Sequence, residues 1–150
     1  MSEEKGRTLT ILLYIVTIVY MVMIFYGSSL HQINQPGPLG KIQSVDKLEH
    51  FSEYFGLAFL LALSFQRTPS LGPGWQSLAL VLLIGIVYGM TDEFHQSFVS
   101  GRTSDLLDLL ADSTGVTFGC LFGAWVMTPD PKGTASRSVP LKKGMTDSEE

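Results

Sequence analysis

The 150-residue chain has little cysteine and little charge. Cys120 is the one cysteine, so neither an intramolecular disulfide framework nor a cysteine-rich zinc site can form. Charged residues make up 16% of the chain, against roughly 25% in soluble domains, while hydrophobic residues make up 45%. The 10 basic and 14 acidic residues give a formal net charge of −4, which excludes a basic nucleic-acid-binding protein. The apolar content excludes a disordered or collagen-like chain.

The sequence also lacks the local motifs of several enzyme classes. It contains no phosphate-binding loop, nucleophile elbow or zinc-protease helix. It has no internal repeat of domain size, and no alternation of apolar and polar residues that would indicate the strands of a barrel. The remaining signal is a series of long apolar stretches.

Four apolar stretches predict an all-α, polytopic membrane protein. The predicted spans cover about residues 8–27, 46–66, 75–96 and 104–127. The first is the clearest, because residues 9–27 are almost purely apolar and about 20 such residues cross the bilayer core. That run is longer than the apolar core of a signal peptide, so a span is favoured over a cleaved leader.

Short segments rich in proline, glycine and other turn formers separate the spans. We therefore expect one four-helix transmembrane bundle over residues 1–128. Residues 129–150 are rich in Pro, Gly, Ser, Lys and Glu without periodicity, and they predict a disordered tail.

The distribution of basic residues predicts the orientation of the bundle. With the N-terminus inside, the inner flanks hold seven basic residues: Lys5, Arg7, Arg67, Lys132, Arg137, Lys142 and Lys143. The outer flanks hold three: Lys41, Lys47 and Arg102. This imbalance favours a cytoplasmic N-terminus and a cytoplasmic C-terminal tail.

Acidic residues are concentrated inside the most apolar part of the chain. Eight of the 14 acids lie between residues 46 and 112: Asp46, Glu49, Glu53, Asp92, Glu93, Asp105, Asp108 and Asp112. They occupy the N-terminal ends of spans two and four and the C-terminal end of span three. In a bundle of alternating helices these three ends lie on one side of the membrane, which the orientation predicts to be the outer side.

Helical spacing places the polar residues of each span on one face. The three predicted stripes are Asp46, His50 and Tyr54; Tyr88, Asp92 and Gln96; and Asp105, Asp108 and Asp112. Charged groups at membrane depth face the interior of a bundle or a water-filled cavity. The stripes therefore predict a polar site of acids, His and Arg, to which Arg102 belongs as the partner of a carboxylate or of an anionic head group. The uncharged first span is expected to be a packing and anchoring helix.

The chemistry of the site stays open between structure and function. His50, Asp92 and Glu93 are the candidate catalytic residues, and the alternative is a hydrogen-bonded network that supports packing. Asp92 and His95 have a spacing found in metal sites of helical bundles, but a second such motif is lacking. We therefore expect no resident metal or cofactor, with weak divalent-cation binding as an alternative. His31 and His95 are expected to be exposed.

Small residues at intervals of four predict close helix packing. Span three carries Gly85 and Gly89, and span four carries Gly115, Gly119 and Gly123. Trp75 and Trp125 are expected near the inner interface, in the aromatic belt of the membrane.

Three segments together resemble the VanZ-like family of small bacterial membrane proteins. They are residues 46–51 with Tyr54, residues 88–96, and residues 101–108 with Gly115. The matching motif positions are Asp46, His50, Tyr54, Asp92, Glu93, Gln96, Arg102, Asp108 and Gly115. Asp112 departs from the pattern, which usually has Asn there. The resemblance covers roughly residues 10–125 and implies a role in tolerance of glycopeptide antibiotics such as teicoplanin.

Three functional hypotheses follow. The first is a non-enzymatic protein of the bacterial inner membrane that binds an envelope lipid, a cell-wall precursor or a glycopeptide at the outer side of that membrane. The bilayer is its other partner. The second is a membrane-embedded enzyme that uses His50 and the acids for acid–base chemistry on an envelope lipid or glycan. The third is a proton- or ion-coupled transporter subunit. It is the least favoured because one acidic end does not form a pathway and four helices would need to oligomerise.

Overall fold

A computed structural model of the chain describes residues 2–30, 43–72, 74–99 and 105–128. These ranges contain four α-helices and no strand, which confirms the all-helical prediction for this part of the chain. The helices are α1 (Ser2–Leu30), α2 (Gln43–Gln66), α3 (Trp75–Gln96) and α4 (Leu106–Met127). The predicted tail at residues 129–150 and His31 lie outside the described residues.

Three of the described helices are long and apolar enough to cross a membrane: α1 over Glu3–Ser29, α3 over its full length, and α4 over its full length. Helix α2 does not meet this measure, because its N-terminal half carries charged side chains. It is instead the inner helix of the group, with Tyr54, Leu57, Ala58, Leu61, Ala62 and Phe65 all buried. Leu48 is its one strongly exposed large apolar side chain among the described residues. Helix α2 is therefore covered by protein where the other helices present apolar side chains outward.

The glycines of α4 allow this helix to approach α2 closely. Any Cβ at Gly115 would meet the backbone carbonyl of Phe51, and one at Gly119 would meet that of Phe55. A Cβ at Gly123 would lie 2.6 Å from the Cβ of Ala62. The stripe of small residues thus serves backbone contact between helices, as its spacing predicts.

Helix α3 packs on α4 through its own two glycines. A Cβ at Gly85 would lie 2.7 Å from Cγ1 of Val116, and one at Gly89 would lie 3.3 Å from Oδ2 of Asp112. These positions hold α3 against the half of α4 that carries its buried acids.

Helix α1 lies at the periphery, packs Ile24 into the core and makes polar contacts with the loop after α2 and with α3. Leu12, Ile15 and Val19 are examples of its many exposed apolar side chains. The Tyr14 hydroxyl is 2.7 Å from Oγ1 of Thr68, and the Tyr88 hydroxyl donates to the carbonyl of Met21 at 2.6 Å. Lipid tails are as apolar as the helix surfaces, so the hydrophobic effect does not drive helices together within a membrane. Hydrogen bonds between helices supply such an attraction.

The four helices alternate in direction, so that their polar ends meet. Ser28 near the end of α1 contacts Asp92 near the end of α3, and His50 near the start of α2 contacts Asp112 in α4. The end of α1, the start of α2, the end of α3 and the start of α4 therefore lie at one end of the bundle. This is the convergence that alternating spans predict for the acids.

Candidate functional site

A polar pocket lies at this end of the bundle, between α1, α2 and α3. Its lining residues are Gly27, Ser28, Glu49, His50, Glu53, Asp92 and Gln96. The cavity itself measures about 20 Å³. A space of roughly 10–15 Å³ holds one water molecule, so this pocket has room for a single group of that size, such as one hydroxyl or ammonium group.

Asp92 is held in the pocket wall by two neighbouring side chains. Its Oδ1 accepts a hydrogen bond from the Ser28 hydroxyl at 2.8 Å, and its Oδ2 accepts one from Nε2 of Gln96 at 2.8 Å. Nε2 of Gln96 also lies 3.1 Å from the Ser28 hydroxyl. All three side chains are buried, so the triangle fixes the carboxylate and ties α1 to α3.

His50 connects the pocket to a second buried acid. Nδ1 of His50 lies 2.9 Å from Oδ1 of Asp112, and both side chains are almost fully buried. A carboxylate at one ring nitrogen orients the imidazole and selects its tautomer. Because His50 also lines the pocket, this arrangement resembles that of a positioned general base.

Glu93 points away from Asp92, as expected for adjacent residues on a helix. Its Oε2 accepts a hydrogen bond from the backbone N–H of Asp105 at 3.1 Å, just before α4 begins. Asp105 itself caps α4 by accepting from the N–H of Leu107 at 3.0 Å. These bonds satisfy backbone donors at the start of α4 and fix its distance from α3.

Lys47 pairs with two acids at the edge of the cluster. Its Nζ donates to Oδ1 of Asp108 at 2.7 Å and to Oδ2 of Asp105 at 3.2 Å. The hydrogen bond from the Leu107 N–H and the nearby ammonium of Lys47 lower the pKa of Asp105 below its ordinary value. Lys47 thus neutralises the start of α4 and leaves the deeper acids to other partners.

Oδ2 of Asp112 and the hydroxyl of Tyr54 are among the buried side-chain atoms that have no hydrogen-bond partner within the described part of the chain. In addition, two sets of three side chains bring potential metal ligands within 4.8 Å of one another. One set is Asp46, His50 and Asp108; the other is His50, Glu93 and Asp112.

The predicted site residues inside the described ranges converge at this end of the bundle. They are Asp46, His50, Tyr54, Asp92, Glu93, Gln96, Asp108 and Asp112. Arg102 lies outside the described residues. Tyr88 shares a face with Asp92 but is directed to α1, where it donates to the carbonyl of Met21.

Two features of the site were not predicted from the sequence. Ser28 brings α1, expected to be an uncharged packing and anchoring helix, into the polar network. His95 is half-buried rather than exposed, since its Nε2 lies 2.9 Å from the Ser29 hydroxyl and its ring packs on Phe25. A serine at the end of an apolar run carries no signal of such a role, because the signal depends on which face of α1 meets α3.

The family comparison agrees with this architecture. A family model described as VanZ/LLP1 matches residues 11–127, which include most of α1 and all of the other helices. Comparison with curated proteins and with solved structures finds no match. The matched range contains two of the three helices that are long and apolar enough to cross a membrane, most of the third, α1, and the polar residues of the site. The chain is therefore a membrane protein that belongs to the VanZ/LLP1 family.

Proposed function

We propose that this protein binds an envelope ligand at its polar end and thereby changes the susceptibility of the cell to glycopeptide antibiotics of the teicoplanin type. The observation that carries the proposal is the polar pocket, in which side chains from three helices surround one small space. In an apolar bundle, an open space lined by carboxylates is costly unless water or a ligand fills it.

The pocket lining indicates the chemical class of the group that enters. The pocket carries the carboxyl groups of Glu49, Glu53 and Asp92, and a carboxylate accepts hydrogen bonds without donating any, so the lining favours donors such as hydroxyl and ammonium groups. Phosphate is disfavoured there by like charge. The best matching ligands are the sugar hydroxyls or amino groups of a lipid-linked wall precursor, of a glycolipid, or of a glycopeptide.

We further propose that the polar end faces the outside of the inner membrane. The excess of basic residues on the opposite flanks supports this orientation. Trp75 and Trp125, both strongly exposed, lie at the other end of α3 and α4, where an inner aromatic belt would stand. Near an interface, charged side chains are less costly than at the bilayer centre, and ligand head groups reach them.

Measurement of teicoplanin susceptibility in isogenic cells tests the proposal. Cells that express the wild-type chain should differ in the inhibitory concentration from cells without it. The pocket variants Asp92→Asn and Glu53→Gln should remove that difference while their amounts in the membrane fraction stay equal. Ser52→Ala is the matched control, since Ser52 is exposed next to Glu53 on α2. Unchanged susceptibility with the wild-type chain, or full activity of both pocket variants, would overturn the proposal.

A second candidate function is acid–base catalysis on an envelope lipid or glycan. The His50–Asp112 pair beside the pocket favours it, because a carboxylate-oriented imidazole can take and return a proton. Mass spectrometry of envelope lipids and wall precursors distinguishes the two candidates. A species that is formed or depleted by the wild-type chain but not by His50→Gln supports an enzyme. An unchanged lipid and precursor profile with altered susceptibility supports binding alone.

A further inference from the structure

A buried group of polar side chains joins three helices next to the pocket, with which it shares His50. His50 of α2, Glu93 of α3 and Asp112 of α4 are all buried, and one potential ligand atom from each lies within 4.8 Å of the other two. In zinc sites the metal–nitrogen and metal–oxygen bonds are about 2.0–2.2 Å, so two ligands of one ion lie at most about 4.4 Å apart. Small side-chain rotations therefore bring the three atoms around one cation.

A second observation at the same place points to a missing partner. Oδ2 of Asp112 has no hydrogen-bond partner among the described residues, although Asp112 is 0% exposed. The Tyr54 hydroxyl is equally buried and also lacks a partner there. Both side chains border the space above Gly89, where a Cβ would lie 3.3 Å from that Oδ2 and 3.4 Å from Cε1 of Tyr54. A buried carboxylate oxygen without a donor is costly to maintain.

The charge of the surroundings favours a cation over a neutral water molecule as that partner. The described residues of this end include seven acids around His50 and Tyr54, of which all but the exposed Glu49 are buried or half-buried: Asp46, Glu49, Glu53, Asp92, Glu93, Asp108 and Asp112. Lys47 is bonded to Asp108 and Asp105 at the edge of this group. Buried charges in proteins are paired or coordinate metals, and a water molecule satisfies an oxygen atom without reducing its charge.

We propose that His50, Glu93 and Asp112 bind one divalent transition-metal cation. One imidazole nitrogen and two carboxylate oxygens form a mixed ligand set that suits Zn²⁺ or Mn²⁺ better than Ca²⁺ or Mg²⁺, which take oxygen ligands. Three protein ligands also leave a coordination position open, as in catalytic rather than structural zinc sites. The buried Tyr54 hydroxyl, whose side chain borders Gly89 together with Asp112, is a candidate hydrogen-bond partner for a water molecule bound at that position.

The geometry selects this set over two alternatives. Asp92 and His95 do not form a site together. Asp92 accepts hydrogen bonds from Ser28 and Gln96, while the ring of His95 lies against Phe25. In the other three-residue set, Asp108 is already paired with Lys47 at 2.7 Å. Asp112, by contrast, has an oxygen atom still to be satisfied.

Zn²⁺ binding to the purified full-length chain tests the proposal without any envelope ligand, so its outcome is separate from that of the ligand-binding proposal. The protein in detergent is stripped with a chelator, dialysed against Zn²⁺ and analysed for bound metal. We expect one Zn²⁺ per chain. Glu93→Gln and Asp112→Asn should each weaken binding by at least about 10-fold, the loss seen when even an outer-shell partner is removed.

Two control variants make the assignment specific. Ser52→Ala changes an exposed side chain of α2 outside the proposed ligand set, and Asp46→Asn removes an acid of the alternative set. Both should bind Zn²⁺ like the wild type. Loss of binding in Asp46→Asn with retention in Glu93→Gln would overturn the proposal, as would equal weak binding by all variants, which indicates an adventitious ion only.

A spectroscopic measurement on the wild type covers the case in which a variant does not fold. X-ray absorption of the Zn²⁺-loaded chain should show nitrogen and oxygen neighbours at about 2.0–2.2 Å and the outer-shell scattering of a single imidazole. A spectrum without imidazole scattering excludes His50 as a ligand and overturns the proposal.

Discussion

Nδ1 of His50 lies 2.9 Å from Oδ1 of Asp112 and joins α2 to α4 across 62 residues of sequence. The bond depends on the close approach of these helices, which Gly115 and Gly119 allow by placing no side chain against the backbone of α2. The same contact that builds the core of the bundle therefore also builds its polar centre. Stability and site geometry are coupled through one helix pair, and variants of either feature should affect the other.

Removal of the imidazole should strongly destabilise the bundle. His50→Ala leaves Oδ1 of the buried Asp112 beside a cavity without its hydrogen-bond partner, and an unsatisfied buried polar group costs about 1–3 kcal/mol, more when it is charged. The unfolding temperature in detergent should decrease markedly for His50→Ala. It should decrease much less for the double variant His50→Leu/Asp112→Leu, in which no buried polar atom is left without a partner. Ser52→Ala, on the exposed face of the same helix, is the control. Equal unfolding temperatures of His50→Ala and the wild type would show that the pair contributes nothing.

A methyl group at the α2–α4 interface should also be destabilising. A Cβ at Gly115 would meet the backbone carbonyl of Phe51, which cannot move aside as a flexible side chain can. Overpacking of this kind costs about 1–3 kcal/mol, so we expect a clear decrease in the unfolding temperature of Gly115→Ala.

Gly27→Ala is the matched control for that variant. No atom lies within 4 Å of a Cβ at Gly27, and alanine is the better helix former by roughly 1 kcal/mol. Gly27→Ala should therefore keep or raise the unfolding temperature. If the two substitutions have the same effect, the backbone contact of Gly115 is not a determinant of stability.

The helices follow from the sequence because their signals are local. Apolar runs of sufficient length and the turn formers between them mark the four helices to within a few residues, apart from the start of α1, which begins at Ser2 rather than near residue 8. There, Glu3 to Arg7 are polar and outside the apolar stretch, yet they continue the helix. The convergence of the acids follows as well, because it needs only the alternation of helix direction.

The partners inside the site do not follow from the sequence, because they depend on how each helix is rotated about its axis. Helix α1 carries apolar residues on all of its faces, so its sequence does not reveal that Ser28 faces Asp92. His50, Glu93 and Asp112 come from three different helices and are far apart in the chain, so they form no local sequence motif. Asp92 and His95 do have the spacing of a metal motif, but their side chains point to different places. Asp92 lines the pocket, while His95 contacts Ser29 of α1.

Ser28 and Ser29 provide a matched pair to test the role of α1. Ser28→Ala removes a donor from the buried Asp92 and a contact of Gln96, which leaves buried polar atoms less satisfied at about 1–3 kcal/mol. Ser29→Ala removes a contact of His95, a half-buried ring that water can reach. Ser28→Ala should therefore lower the unfolding temperature in detergent more than Ser29→Ala does. A larger decrease for Ser29→Ala would contradict the structural role assigned to Ser28.

Asp105 predicts a pH dependence at the start of α4, just before the candidate span Leu106–Met127. The hydrogen bond from the Leu107 N–H, followed by the ammonium of Lys47, lowers the pKa of Asp105 in the folded chain. A carboxyl group with a lowered folded pKa contributes stability that is present above its unfolded pKa and lost as the pH falls through the folded value. The contribution of Asp105 should therefore be complete at neutral pH and disappear below about pH 4.

Comparison of Asp105→Asn with the wild type isolates this contribution from the titration of the other acids. Asparagine caps a helix about as well as aspartate but carries no charge for Lys47, so the variant should be less stable at neutral pH. The difference in unfolding temperature should shrink as the pH is lowered from about 7 to about 3, since the wild-type carboxyl group then becomes neutral as well. Asp105→Ala, which loses both the cap and the charge, should be the least stable of the three at neutral pH. A difference between wild type and Asp105→Asn that stays constant over this pH range would show that the charge of Asp105 does not stabilise the start of α4.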